Sequence, residues 1–149
     1  MTKVLVVEID DALRGTVHDI LDTAEDAYEF TEVGAETEAL TYLTTQPTAE
    51  GVVVVCSNKT IDHHLLAAFF ASVVADKRLA RHHRYILLSS SPARIPAEMR
   101  AHLVQLHAPI LAKPFDMDVL LAAVSEAATQ LAAARSPLWR RWRRTSSGS

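Results

Sequence analysis

Val52-Val53-Val54-Val55-Cys56 is the stretch that decides the fold. Four β-branched residues in a row crowd an α-helix but suit a pleated sheet. The run is continuous rather than alternating, so both faces of the strand are covered, as in a parallel sheet flanked by helices. Outward from it the chain alternates short β-rich runs with segments of helical periodicity. Upstream, Lys3–Val7 reads as a first strand, and Asp10 or Asp11 as the cap of a helix carrying Leu13, Val17, Ile20 and Leu21. Tyr28, Phe30 and Val33 mark a second strand ending at Gly34, and Ala39, Leu40 and Leu43 line a helix over 36–45.

Downstream, Leu65–Ala75 is apolar nearly all round, which predicts a well-buried helix. Residues 76–84 are polar and basic and read as a solvated helix end and loop. Tyr85–Leu88 is a fourth strand. Pro96 starts a helix carrying Met99, Leu103 and Leu106. Pro109–Ala112 is a short fifth strand, and Asp116 caps a last helix with Val119, Leu120, Ala123, Ala127 and Leu131. Five β-α units imply a parallel sheet with helices on both faces and right-handed crossovers. Functional groups in such sheets gather at the carboxyl ends of the strands. Here those ends are Glu8-Ile9-Asp10, Cys56-Ser57-Asn58, Ser89-Ser90 and Lys113-Pro114.

The 149 residues suit one domain over 1–133, followed by a tail over 134–149 that reads as flexible. No apolar run reaches the roughly 18 residues that span a bilayer. A single cysteine cannot form an internal disulfide, and a reducing cytoplasm is the expected compartment. Charge is uneven. Residues 1–126 hold all 18 acidic residues and ten of the 15 Lys and Arg, a net −8, whereas the remainder carries five Arg and no acid.

Three short motifs now point to a family. Val4-Leu-Val-Val-Glu-Ile-Asp10 resembles the opening strand and acidic turn of response-regulator receiver domains of two-component systems. Gly34-Ala-Glu-Thr-Glu-Ala-Leu40 resembles the segment after their second strand, and Lys113-Pro114-Phe115 their Lys-Pro-Phe after the fifth. The resemblance covers residues 2–133 and implies a flavodoxin-like (βα)5 fold with strand order 2-1-3-4-5. It also implies a site for phosphoryl transfer from a histidine kinase. Two acids after strand one hold magnesium, an aspartate ending strand three accepts the phosphoryl group, a Thr or Ser bonds its oxygen, and a Lys offsets its charge.

Residue by residue the match is partial. Glu8 takes the place of the first acid, and Ile9 falls where the second should be and cannot ligate a metal. Asp10, one residue later, suits the helix cap. Cys56 occupies the acceptor position, Ser89 keeps the hydroxyl and Lys113 the cation. Ile110 stands three before the lysine, where many receivers carry the switch aromatic. The usual Met-Pro and Gly after the acceptor give way to Lys59, Thr60 and His64. With two carboxylates lost, the resemblance implies little or no magnesium affinity and no conventional aspartyl phosphorylation.

The resemblance therefore implies a pseudo-receiver, a phosphorelay-type signalling module expected not to be an enzyme and to have no small-molecule substrate. Its expected partner is a signalling protein such as a kinase or output protein. The last strand and helix, residues 110–131, are the expected docking or homodimer face. Two other readings stand beside it. Cys56 and Lys113 could make a redox- or anion-responsive site, the lysine favouring the thiolate; against it, free Cys often serves as a small apolar residue, and Lys113 has Glu8 for a partner. His63-His64 and His82-His83 have poor ligand spacing and read as solvated. In the tail, Trp139, Arg140, Arg141, Trp142, Arg143 and Arg144 suit an anionic membrane, nucleic acid, an acidic protein groove or the chain's own acidic body.

Overall fold

The computed structural model describes residues 2–8, 10–24, 28–46, 51–58 and 64–135. Its strands are β1 (Thr2–Val7), β2 (Tyr28–Val33), β3 (Val52–Asn58), β4 (Arg84–Ser89) and β5 (Ile110–Ala112). All pair in parallel in the order β2-β1-β3-β4-β5, the order the sequence resemblance implied. The helices are α1 (Asp11–Asp22), α2 (Glu36–Thr44), α3 (His64–Ala75), α4 (Lys77–His82), α5 (Ala97–Gln105) and α6 (Met117–Arg135).

Alternation along the strands splits the core in two. Leu5, Val7, Val52, Val54, Cys56, Tyr85 and Leu87 face α2–α5 through Leu43, Phe69, Phe70, Val73, Met99 and Leu103. Val4, Val6, Val53, Val55, Ile86 and Leu88 face α1 and α6 through Val17, Leu21, Leu120, Val124 and Leu131. The rings of Phe69, Phe70 and Tyr85 meet edge to face, with centroids 5.2–6.3 Å apart.

Three expectations need correction. Residues 76–84 are not merely a helix end and loop, because 77–82 form a separate helix, α4. Asp76 caps it, accepting from the Arg78 and Leu79 amides at 2.9 and 3.3 Å, and buried Leu79 ties it to the core while its carbonyl accepts from the Tyr85 hydroxyl at 2.7 Å. Second, α3 is not buried all round: Leu65 is 63% exposed, and Ala68, Ser72 and Ala75 share that open side. Third, the two histidines at 82 and 83 differ. His82 is exposed, but His83 is buried, and its Nδ1 accepts from the Val52 amide at 3.0 Å. Burial, helped by the neighbouring His82 and Arg84, pushes its pKa down to about 4. It holds the start of β3 to the start of β4 as a neutral acceptor. His63 and the side chain of His64 lie outside the described residues.

Gly51 sits where this end closes. A Cβ there would stand 2.7 Å from both the His82 carbonyl oxygen and a Leu131 methyl, so only glycine fits. Helix α6 has the length and average apolarity to match a bilayer, with 22% of residues 117–134 buried. Yet it carries Asp118 and Glu126 and seats Leu120, Val124 and Leu131 in the core.

Candidate functional site

The carboxyl ends of β1, β4 and β5 bring Glu8, Asp10, Ser89 and Lys113 to one end of the sheet, with Cys56 two residues before the end of β3. Glu8 follows β1, and its amide donates to the Val33 carbonyl at 3.1 Å while its own carbonyl accepts from Arg14 Nη1 at 2.8 Å. Its side chain is only 1% exposed. Neither carboxylate oxygen has a hydrogen-bond partner, and the Lys113 Nζ stands 3.9 Å from Oε1. Burial lowers the lysine's pKa, and the charges of Glu8 and Asp10 work against that shift. The Lys113 amide donates to the Ser89 carbonyl at 2.8 Å, which fixes the lysine beside the end of β4. The Lys113–Pro114 peptide is cis.

Asp10 serves as the cap of α1. Its Oδ1 accepts from the Leu13 amide at 3.0 Å. Ser89 is fully buried and its Oγ accepts from the Ser91 amide at 3.1 Å. Ile110 begins β5 opposite Leu87 and is half-buried against the α2–α5 side of the core. Ile9, Lys59, Thr60 and the tail from residue 136, including Trp139, Arg140, Arg141, Trp142, Arg143 and Arg144, lie outside the described residues.

Cys56 departs from expectation in two ways. It does not end β3, which runs on to Asn58, and it pairs with Val7 and Leu87 inside the sheet. Its sulfur is fully buried among Leu5, Val7, Val54 and Leu87. Burial pushes the thiol pKa far up, and the charge of Glu36 pushes it further. The charge acting on the sulfur is thus an acid that opposes the thiolate, not the lysine that the sequence reading placed beside it.

A further polar residue of the third strand end, with no role assigned to it from sequence, lies beside Glu8. Ser57 is 7% exposed and its Oγ has no hydrogen-bond partner. One step past the Val7–Cys56 pair, it stands beside Glu8 on the α1–α6 side of the sheet. Strand alternation counted from Val53 and Val55 would have placed it there.

These features define a class first: a doubly wound α/β protein of flavodoxin-like topology, with polar groups collected at the carboxyl ends of its strands. More narrowly, the fold is that of signal receiver domains. A receiver domain of an HD domain-containing protein from Pseudomonas fluorescens superposes with a TM-score of 0.68 at 17% identity, covering 89% of this chain and 98% of its own. A receiver domain from Clostridium thermocellum gives 0.65 at 14% identity, covering 85% and 97%. The chemotaxis protein CheY4 of Vibrio cholerae gives 0.64 at 20%, covering 85% and 98%. No family model matches the sequence, and no curated protein matches it. At such identities the likeness is one of fold.

Proposed function

We propose that this chain is a receiver-type signalling module that acts by protein–protein contact, without aspartyl phosphorylation. The observation that carries the reading is Cys56: the acceptor position holds a fully buried thiol packed among aliphatic side chains. A sulfur in that setting offers no carboxylate to a kinase. The donors nearby also suit magnesium poorly, since that ion takes octahedral oxygen ligands. Asp10 is committed to its cap, and Glu8 already faces an ammonium at 3.9 Å. We therefore read the pocket as a retired phosphorylation site that keeps Lys113 as a cation facing Glu8.

The contact surface in this reading is the β5–α6 side, where Met117 and Val119 are 50% and 45% exposed and Leu121 is half-buried. A kinase, an output protein or a second copy of the chain would dock there, in the cytoplasm. The redox-responsive alternative is disfavoured by the direction of the thiol pKa. Two measurements test the proposal. Calorimetric titration with magnesium should give no binding heat, and sedimentation velocity should show self-association that Val119→Lys abolishes. Magnesium bound at the affinity of a working receiver would overturn the first part. A monomer at all concentrations would assign the face to a different protein.

A further inference from the structure

A cleft of about 190 Å³ opens at the amino-terminal end of β4, between the approach to β5 and α6. It lies at the opposite end of the sheet from the Glu8–Lys113 pocket. Arg84 opens β4 on one wall. Its Nε donates to Gln130 Oε1 at 3.2 Å, and its Nη1 to the carbonyls of Arg81 and His83 at 3.2 and 3.1 Å. The guanidinium is thus held along one edge, while Nη2 takes part in none of these bonds. Glu126 lines the same cleft from α6, one helical turn before Gln130. Arg84 and Glu126 do not pair with each other, although both are among the described residues. Ala123, Ala127 and Pro109 add small apolar surface to the lining.

Two features of the chain turn further hydrogen-bonding groups to this cleft. β5 starts opposite Leu87, whose amide donates to the Pro109 carbonyl at 3.0 Å. Every second residue of β4 addresses β5, so Tyr85 is next in that ladder. The donor its carbonyl would take is the amide of residue 109, and proline has none. The Tyr85 ring packs on the α2–α5 side of the sheet, so its main chain is what meets the cleft. His107, the second feature, lines the cleft with a φ of 55°, in the left-handed region. It closes α5: its amide donates to the Val104 carbonyl at 3.0 Å, and the Ala108 amide to the Leu103 carbonyl at 2.9 Å. Glycine usually fills this position, because a side chain there is strained. Here the chain carries that strain and sets an imidazole on the cleft wall.

We infer that this cleft binds a small zwitterion, an α-amino acid with a short aliphatic side chain. The ligand carboxylate pairs with Arg84 Nη2, a charge-assisted contact on a pre-positioned guanidinium. The Gln130 amide nitrogen and the His107 ring add further donors. The ligand ammonium pairs with Glu126 and with the Tyr85 carbonyl, and the side chain covers Ala123, Ala127 and Pro109. The opposite charges select against simpler ligands: a lone carboxylate faces Glu126, and a lone ammonium faces Arg84. The cleft is smaller than drug-sized pockets, which start at roughly 300 Å³, and matches a ligand of amino-acid size. The inference is independent of the pocket's chemistry and of the β5–α6 contact.

Titration of the isotope-labelled full chain with L-valine and with L-leucine, followed by amide NMR, tests it. Both should give saturable shifts at the amides of Tyr85, His107, Ala123 and Ala127. Isovalerate and isobutylamine are valine without its ammonium and without its carboxylate. Each should bind at least about tenfold more weakly than valine, the loss expected for one charged hydrogen-bonding group. Glu126→Gln, at an exposed position on α6, should weaken valine binding by a similar factor with an unchanged melting curve. His107→Gly, which relieves the strain, should weaken it too. Absence of saturable shifts at the cleft, singly charged analogues that bind as tightly as valine, or indifference to either substitution would overturn the inference.

Discussion

The Glu8 carboxylate and the Lys113 ammonium face each other at 3.9 Å where β1 and β5 end, and the carboxylate is 1% exposed with no hydrogen-bond partner on either oxygen. A buried carboxylate without hydrogen bonds depends on its counter-charge, and removing one member of such a pair costs far more than removing both. Lys113→Met alone should destabilise the fold by roughly 3 kcal/mol in urea titrations. Adding Glu8→Leu should recover most of that loss. Equal losses for the single and double variants would show that the pair is not coupled.

Asp10 stands beside the pocket but works on the helix. Asp10→Ala should cost about 1 kcal/mol of stability, and Asp10→Asn, which keeps a capping oxygen, only a few tenths. If instead Asn were as damaging as Ala, the charge of Asp10 near Lys113 would matter more than its hydrogen bond to Leu13.

His83 makes stability depend on pH. Its folded pKa of about 4 lies below the ordinary value of 6.5, so the unfolded chain takes up the proton first as pH falls. The contribution is whole above about pH 6.5 and is lost progressively down to about pH 4, amounting to about 3 kcal/mol. Urea midpoints across that window should fall with pH in the native chain and fall less in His83→Gln. A slope unaffected by the substitution would place the acid sensitivity elsewhere.

The five strands were legible because Val52–Val55, Lys3–Val7 and Tyr85–Leu88 carry β-rich patterns with helical spacing between them, whereas their order followed only from the resemblance to receiver domains. α4 was not legible, since Lys77-Arg-Leu-Ala-Arg-His82 offers a single large apolar anchor, Leu79, and reads as a solvated helix end and loop. The depth of His83 was hidden for a related reason: its burial depends on meeting the Val52 amide 31 residues away. At the site, the identities at positions 8, 56, 89 and 113 were readable, as was the meeting of Glu8, Ser89 and Lys113 at one sheet end. The surroundings of Cys56 were not. The charge of Glu36 acts on its thiol from α2, which no local pattern reveals, and β3 runs past Cys56 to Asn58, so the sulfur lies inside the sheet and not at its rim.

That position has consequences for engineering. Cys56→Asp, which would rewrite the family acceptor, sets a carboxylate among Leu5, Val7, Val54 and Leu87. It should destabilise the fold by several kcal/mol, where Cys56→Ala costs about 1–2 kcal/mol as a small cavity. Alkylation of native Cys56 should proceed only as fast as the chain opens. Rapid alkylation near neutral pH would revive a reactive thiol.

In the proposed function this chain signals without a phosphoryl group at position 56. Incubation of the full chain with acetyl phosphate and magnesium, followed by intact-mass spectrometry, tests it most directly. A single peak at the unmodified mass is expected. A stable adduct of one phosphoryl group, lost on substitution of a pocket residue such as Lys113→Ala, would contradict it.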